Sequence, residues 1–305
     1  MRKFNIDFMG HRNIMFGISL VLLVIAIASL GLRGLQFGVE FKGGTVVAIA
    51  DSGSVTQPQM TDAFKAAGLP NVVVQGSQAG VNAKAGFIIR SSETSAAAAS
   101  AAADKAIKAV GLSASEKTVT TIGPNWGANV TSSALLALGV SILAILLYVS
   151  LRFEYKMSVT AVIALVHDIV ITLGLYALIG WEVTPNVVAA LLATLGYSLY
   201  DTIVVFHRIK ENSQGLVKTS YMSMANESIN EVLIRSINTT LTSLIPVVVL
   251  LLFGGSTLKD YALALTIGLT SGAYSSIGVA APLFAMWKER EPKFAALAKK
   301  YANAS

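Results

Sequence analysis

Gly196-Tyr-Ser-Leu-Tyr-Asp-Thr-Ile-Val-Val-Phe206 runs directly into His207-Arg-Ile-Lys-Glu-Asn212, and the reading of this stretch decides the fold. Crossing a bilayer core takes about 20 apolar helical residues, and a basic cluster commonly marks the cytoplasmic end of such a span. Asp201 sits inside the apolar part. A carboxylate at that depth costs about 2.5–3.5 kcal/mol on insertion scales, so it is expected to bind a proton or to pair with a buried cation.

Composition agrees with a membrane chain. Mean hydropathy is +0.64, hydrophobic residues make up 54% and charged residues 13%, roughly half the charged share of a soluble domain. The chain has no Cys, which removes disulfides, thiolate nucleophiles and Cys-based metal sites. Its three His are scattered, so no metal site is expected. The net charge of +6 lies in short clusters beside apolar runs, a membrane-topology pattern that argues against nucleic-acid binding.

Six spans are expected near Ile14–Leu32, Ser132–Leu151, Ser158–Ile179, Pro185–Phe206, Ile234–Phe253 and Tyr261–Trp287. Arg2, Lys3 and Arg12, Arg152 and Lys156, Arg208, Lys210 and Lys218, and the group Lys288–Lys300 then fall on one side, which places both termini in the cytoplasm. Ala26-Ile-Ala28 imitates a signal cleavage site, but the apolar run continues past it, so the segment is expected to remain as a span. The domain boundaries expected are 1–32 for the N-terminus and first span and 33–131 for an exterior domain. Residues 132–287 form the remaining bundle and 288–305 a basic cytoplasmic tail.

The stretch Arg33–Thr131 has soluble composition. Strands are expected at Thr45–Ala50, Asn71–Gln75, Ala85–Arg90 and Thr118–Ile122, with helices at Gln57–Ala67 and Ser95–Val110. That order, βαββαβ, belongs to a ferredoxin-like α+β domain. It holds no His and no clustered carboxylates, which points to binding or leverage and away from enzyme chemistry. No nucleophile–base pair, phosphate loop or metal set marks the chain as an enzyme. Before this domain, Gly38-Val-Glu-Phe-Lys-Gly-Gly44 carries a hinge motif, with Gly38, Glu40, Gly43 and Gly44 at a turn suited to positive φ.

Within the spans, Thr194, Tyr197, Ser198 and Asp201 form one stripe of the fourth helix, and Arg235, Asn238, Thr239 and Thr242 repeat the spacing on the fifth. The two stripes are expected to face each other and to form an Asp201–Arg235 pair that opens when the carboxylate takes up a proton; snorkelling of Arg235 to the interface is the alternative. His167 and Asp168, at the middle of the third span, are accessory candidates for a proton path or a lateral hydrogen bond. Gly268-Leu-Thr-Ser-Gly272, with Ser275, Ser276 and Gly278, is a small-residue face for close helix approach, whether within this chain or to a partner.

Taken together, Gly38–Gly44, Ala164–Gly174, Gly196–Asn212, Arg235–Leu241 and Ala264–Ser276 resemble the SecF family, membrane subunits of the bacterial SecDF protein-export complex and halves of the RND superfamily fold. The resemblance covers essentially the whole chain. It departs at Glu40, usually Asp in the family, at Tyr200, usually Asn, and at His207, usually Asp. It implies residence in the bacterial cytoplasmic membrane, pairing with SecD, and assistance to SecYEG in exporting an unfolded polypeptide. It also implies protons as the coupling ion without another cofactor, contact with membrane lipid, and proton coupling through Asp201 and Arg235. An RND-type exporter of lipids or small molecules, or a scaffold for a partner channel, are the alternative readings.

Overall fold

Mean hydropathy along the chain rises in six places, and at each the computed structural model has a helix long and apolar enough to cross a membrane. The residues described are 5–50, 53–77, 86–112, 117–216 and 218–301. Arg2, Lys3, Ala85 and the last four residues, which figure in the expectations above, lie outside them.

The first apolar helix, α1, covers Arg12–Leu32. A two-residue strand β1 (Gln36–Phe37) and a single turn α2 (Val39–Lys42) follow. Gly43 and Gly44 both take positive φ, and a Cβ on Gly44 would collide with the backbone oxygen of Ser91. Only glycine permits that approach of the chain to the sheet.

Next comes an α+β module of β2 (Gly44–Ile49), α3 (Gln57–Ala66), β3 (Val73–Ser77), β4 (Gly86–Ser91), α4 (Ala96–Ala109) and β5 (Lys117–Ile122). Each element lies within two residues of its expected range. The strands order as β3-β4-β2-β5 with every neighbour antiparallel. Thr56 and Gln59 close a capping box on α3, and Ser95 accepts from the Ala98 amide to start α4. Met60, Phe64, Ile89, Ala103 and Ile107 form the fully buried core between these helices and the sheet.

The remaining apolar helices are α5 (Pro124–Arg152), α6 (Tyr155–Ile179), α7 (Pro185–Ser213) and α8 (Tyr221–Phe253). The strand β6 (Glu182–Val183) lies between α6 and α7 and pairs in parallel with β1. The last crossing is built from α9 (Gly255–Ser275), a π-helical turn at Ser276–Ala280 and α10 (Ala281–Glu289), and α11 (Pro292–Tyr301) follows it. Half of the apolar window in α6 and in α7 is buried and 61% in the last crossing, against 6% in α5 and in α8. The bundle thus has an inner trio and outer helices whose apolar faces await lipid or protein.

Helix α8 begins thirteen residues before the expected span. Ser220 caps it through the Ser223 amide, and Tyr221, Met224, Ala225 and Ile229 bury one face of this extension, so tertiary packing carries the helix beyond the apolar run. Its Asn226 and Asn230 accept from the amides of Ile6, Phe8 and Met9 and fasten the N-terminal segment.

Candidate functional site

The inner trio converges on Asp168. The Ser271 hydroxyl donates to its Oδ1 at 2.7 Å, and those of Ser198 and Ser275 donate to Oδ2 at 2.7 and 2.9 Å. His167 Nδ1 lies 3.1 Å from Oδ1. A carboxylate offers about four lone-pair sites, and here all four have a neighbour. These groups come from α6 (His167, Asp168), α7 (Ser198) and α9 (Ser271, Ser275), so one buried carboxylate ties three helices together.

Small residues make this meeting possible. A Cβ on Gly268 would collide with the Thr194 hydroxyl, and one on Gly272 would lie 2.8 Å from the Ser198 Cβ. The small-residue face of α9 therefore packs on α7 of the same chain, which answers the question left open by its sequence. The π-helical turn follows at once. Its first residue, Ser276, points inward, with its hydroxyl 2.8 Å from that of Thr202. A π turn inserts one extra residue, and here consecutive serines reach two different inner helices.

Asp201 is also buried, at 7% exposure, and stands on α7 one turn from Ser198. Among the described residues its hydrogen-bond donor is the Thr240 hydroxyl of α8, at a long 3.3 Å. The expected ion pair with Arg235 is not formed. Arg235 is exposed and lines a groove with Ile203, His207, Arg208 and Glu231. The reason lies in helix geometry: Arg235 and Thr240 are separated by about 140° around α8 and roughly 7.5 Å along it, so when Thr240 reaches Asp201 the arginine lies over the groove beside His207 and Arg208 and away from the carboxylate.

The other expected polar residues divide the same way. Thr194 is buried and donates back to the Ala190 carbonyl, and Thr239 donates to that of Arg235. Asn238 is exposed on α8, and Tyr197, Tyr200 and His207 are exposed on α7, so the stripe containing Tyr197 does not lie on one buried face. Ser271, Ser275, Ser276, Thr202 and Thr240 were missed as site residues. For the serines the signal was present in the small-residue pattern of α9, but small polar residues serve packing in most membrane helices; Thr202, beside Asp201 in sequence, and Thr240 carried no signal that set them apart from the other threonines.

Outside the bundle, the hinge residue Glu40 directs a buried Oε2 at the backbone of Gly38, where a Cβ would collide with it. Gly38 donates its amide to the Val183 carbonyl at 2.9 Å, so the hinge motif is joined to β6. The described residues hold no group of three or more His, Cys, Asp or Glu arranged to bind a metal ion.

Comparison with known proteins matches residues 102–290 to the protein export membrane protein SecD/SecF C-terminal family and residues 28–49 to the SecD/SecF GG motif. The protein translocase subunit SecF of Streptomyces coelicolor is 40% identical over 96% of this chain and 80% of that protein. SecF of Desulfurispirillum indicum is 37% identical over 98% of both. Among solved structures, SecDF of Thermus thermophilus, described as a translocon-associated membrane protein, superposes with a TM-score of 0.83 at 33% identity. The match covers 94% of this chain and 39% of that longer one.

Proposed function

The chain belongs to the SecD/SecF protein-export family as a SecF-like, multi-pass translocase subunit, and from that premise we propose that it couples proton movement to export across the bacterial cytoplasmic membrane. It does so paired with SecD, beside the SecYEG channel, acting on an unfolded polypeptide. We read its α+β module as a ferredoxin-like exterior domain, its termini as cytoplasmic, and its work as conformational with protons as the only coupling ion.

The observation that carries this reading is the inequality of the two buried carboxylates. Asp168 has every acceptor site occupied and serves as a fixed knot among α6, α7 and α9. Asp201 keeps acceptor capacity in reserve, with one long bond to α8. A proton arriving at Asp201 changes what α7 offers to α8 without untying the knot. The switch is thus held by a hydroxyl, and Arg235 acts elsewhere. On the outer face of α8, Arg235, Asn238 and Thr242 are exposed among Ile237, Leu241 and Ile245. An arginine and an amide facing acyl chains are costly, so this face is assigned to SecD. A proton crossing 100 mV releases about 2.3 kcal/mol, enough to bias two helix arrangements about fifty-fold.

Asp201→Asn is expected to abolish proton-dependent stimulation of export in reconstituted vesicles while the subunit still assembles with SecD. Full stimulation by the variant at an unchanged proton gradient sinks the reading.

A further inference from the structure

Arg90 lies on β4 of the module, yet its guanidinium reaches the bundle. Its Nε is 3.0 Å from Glu182 Oε2 of β6, its Nη2 is 4.0 Å from Asp260 Oδ2 of α9, and its Nη1 donates to Gln75 at 2.6 Å. Trp181 donates to Asp260 Oδ1 at 2.8 Å, and the Tyr176 hydroxyl of α6 donates to the Asp260 carbonyl at 2.6 Å. The Arg90, Glu182 and Asp260 side chains are each more than nine-tenths buried. Glu40, on α2, adds its negative charge to both acids.

Glu182 and Asp260 therefore share one buried guanidinium, with the Glu40 charge acting on both, and Lys42 on α2, the other cation acting on Glu182, is exposed. Two oxygens have no hydrogen-bond donor among the described residues: Glu40 Oε2, and Glu182 Oε2, which meets Arg90 at an angle suited to ion contact alone. Buried charge of this kind is tolerated when it is neutralised, and a proton is the ligand that unpartnered carboxyl oxygens beside other carboxylates accept.

We propose that Arg90, Glu182, Asp260 and Glu40 form a proton-binding latch that holds the α+β module on the membrane bundle, closed with a proton bound and opening when it leaves. The site stands on this geometry and does not depend on the export reading or on Asp201. Burial pushes the Glu182 carboxyl above its ordinary range, against the opposing pull of Arg90 and with the help of Glu40 and Asp260. The closed state accordingly holds a proton that the open state gives up. Closure is complete below the ordinary carboxyl range, about pH 4, and is lost as pH rises through the raised value. For each proton released, the open-to-closed ratio rises up to about tenfold per pH unit in that interval.

The absence of Cys allows labels to be placed at will. Spin labels on the full chain at K105C of α4 and I179C of α6, in lipid nanodiscs, report the distance from module to bundle. The wild-type chain is expected to shift to longer distances between pH 5 and pH 8. Glu182→Gln, fixed in the neutral form, is expected to keep the short distance at pH 8, and Arg90→Met to lengthen it at both values. Glu40→Gln, at a half-buried position, supplies the same test if the Glu182 variant does not accumulate. A wild-type distance that is the same at pH 5 and pH 8 overturns the latch, as does an unaltered pH response in E40Q, E182Q and D260N alike.

Discussion

Asp168 and Asp201, on successive apolar helices, become chemically distinct once their neighbours are counted. Asp168 accepts from three serine hydroxyls on two other helices, whereas Asp201 accepts from one threonine. Removing the Asp168 carboxylate strands those hydroxyls in an apolar interior, where each unsatisfied group costs about 1–3 kcal/mol, partly recovered by bonding back to its own helix. Asp168→Ala is therefore expected to destabilise the bundle by about 2–4 kcal/mol. Asp168→Asn, which keeps one acceptor oxygen, should cost less. Thermal unfolding in detergent checks the order, and a wild-type transition for Asp168→Ala defeats the knot. Asp201 was legible from its sequence because a lone carboxylate in an apolar helix is conspicuous. The rank of Asp168 was not, since its partners lie thirty and more than a hundred positions away.

Among the elements, the α+β module was the most readable part. Its strands and helices are short, locally capped and separated by turns, so near-neighbour chemistry largely defines them. The end of the chain was less so. Glu291, just before α11, accepts from Lys156 at 2.8 Å and lies 3.0 Å from Lys288, which also donates to Glu154 at 2.6 Å. Phe294 then packs its ring 4.7 Å from that of Tyr221. Lys156, with Lys288 beside it, holds the Glu291 carboxyl below its usual range. A depressed carboxyl stabilises docking above the ordinary value near pH 4.3, and that contribution is lost as pH falls through the depressed one. Protection of the α11 amides in hydrogen exchange, corrected for intrinsic rates, should thus fall below about pH 4. Glu291→Gln should show weak protection at every pH, and undiminished protection in that variant refutes the clamp.

For the whole molecule, the decisive fact is which faces remain uncovered. The outer face of α8 carries Arg235 and Asn238 among exposed aliphatic side chains. Arg235→Ala and Asn238→Ala are expected to reduce co-purification of SecD several-fold and to leave the unfolding temperature of the isolated chain within about a degree, since exposed substitutions change stability by less than about 0.5 kcal/mol. Loss of folding with pairing retained contradicts that assignment. Six helices long and apolar enough to cross a membrane, the module between the first two, the succession of strands and helices along that module and the place of Asp201 within an apolar helix were all determined by the sequence alone, because hydrophobic length, period and punctuation are local properties. Tertiary structure alone decided that Thr240 and not Arg235 meets Asp201, that the serines of α9 surround Asp168, and that Arg90 leaves its own sheet to join Glu182 and Asp260. Each of these depends on how a helix is rotated about its axis or on how one layer rests against another, and such angles are set by packing among distant residues.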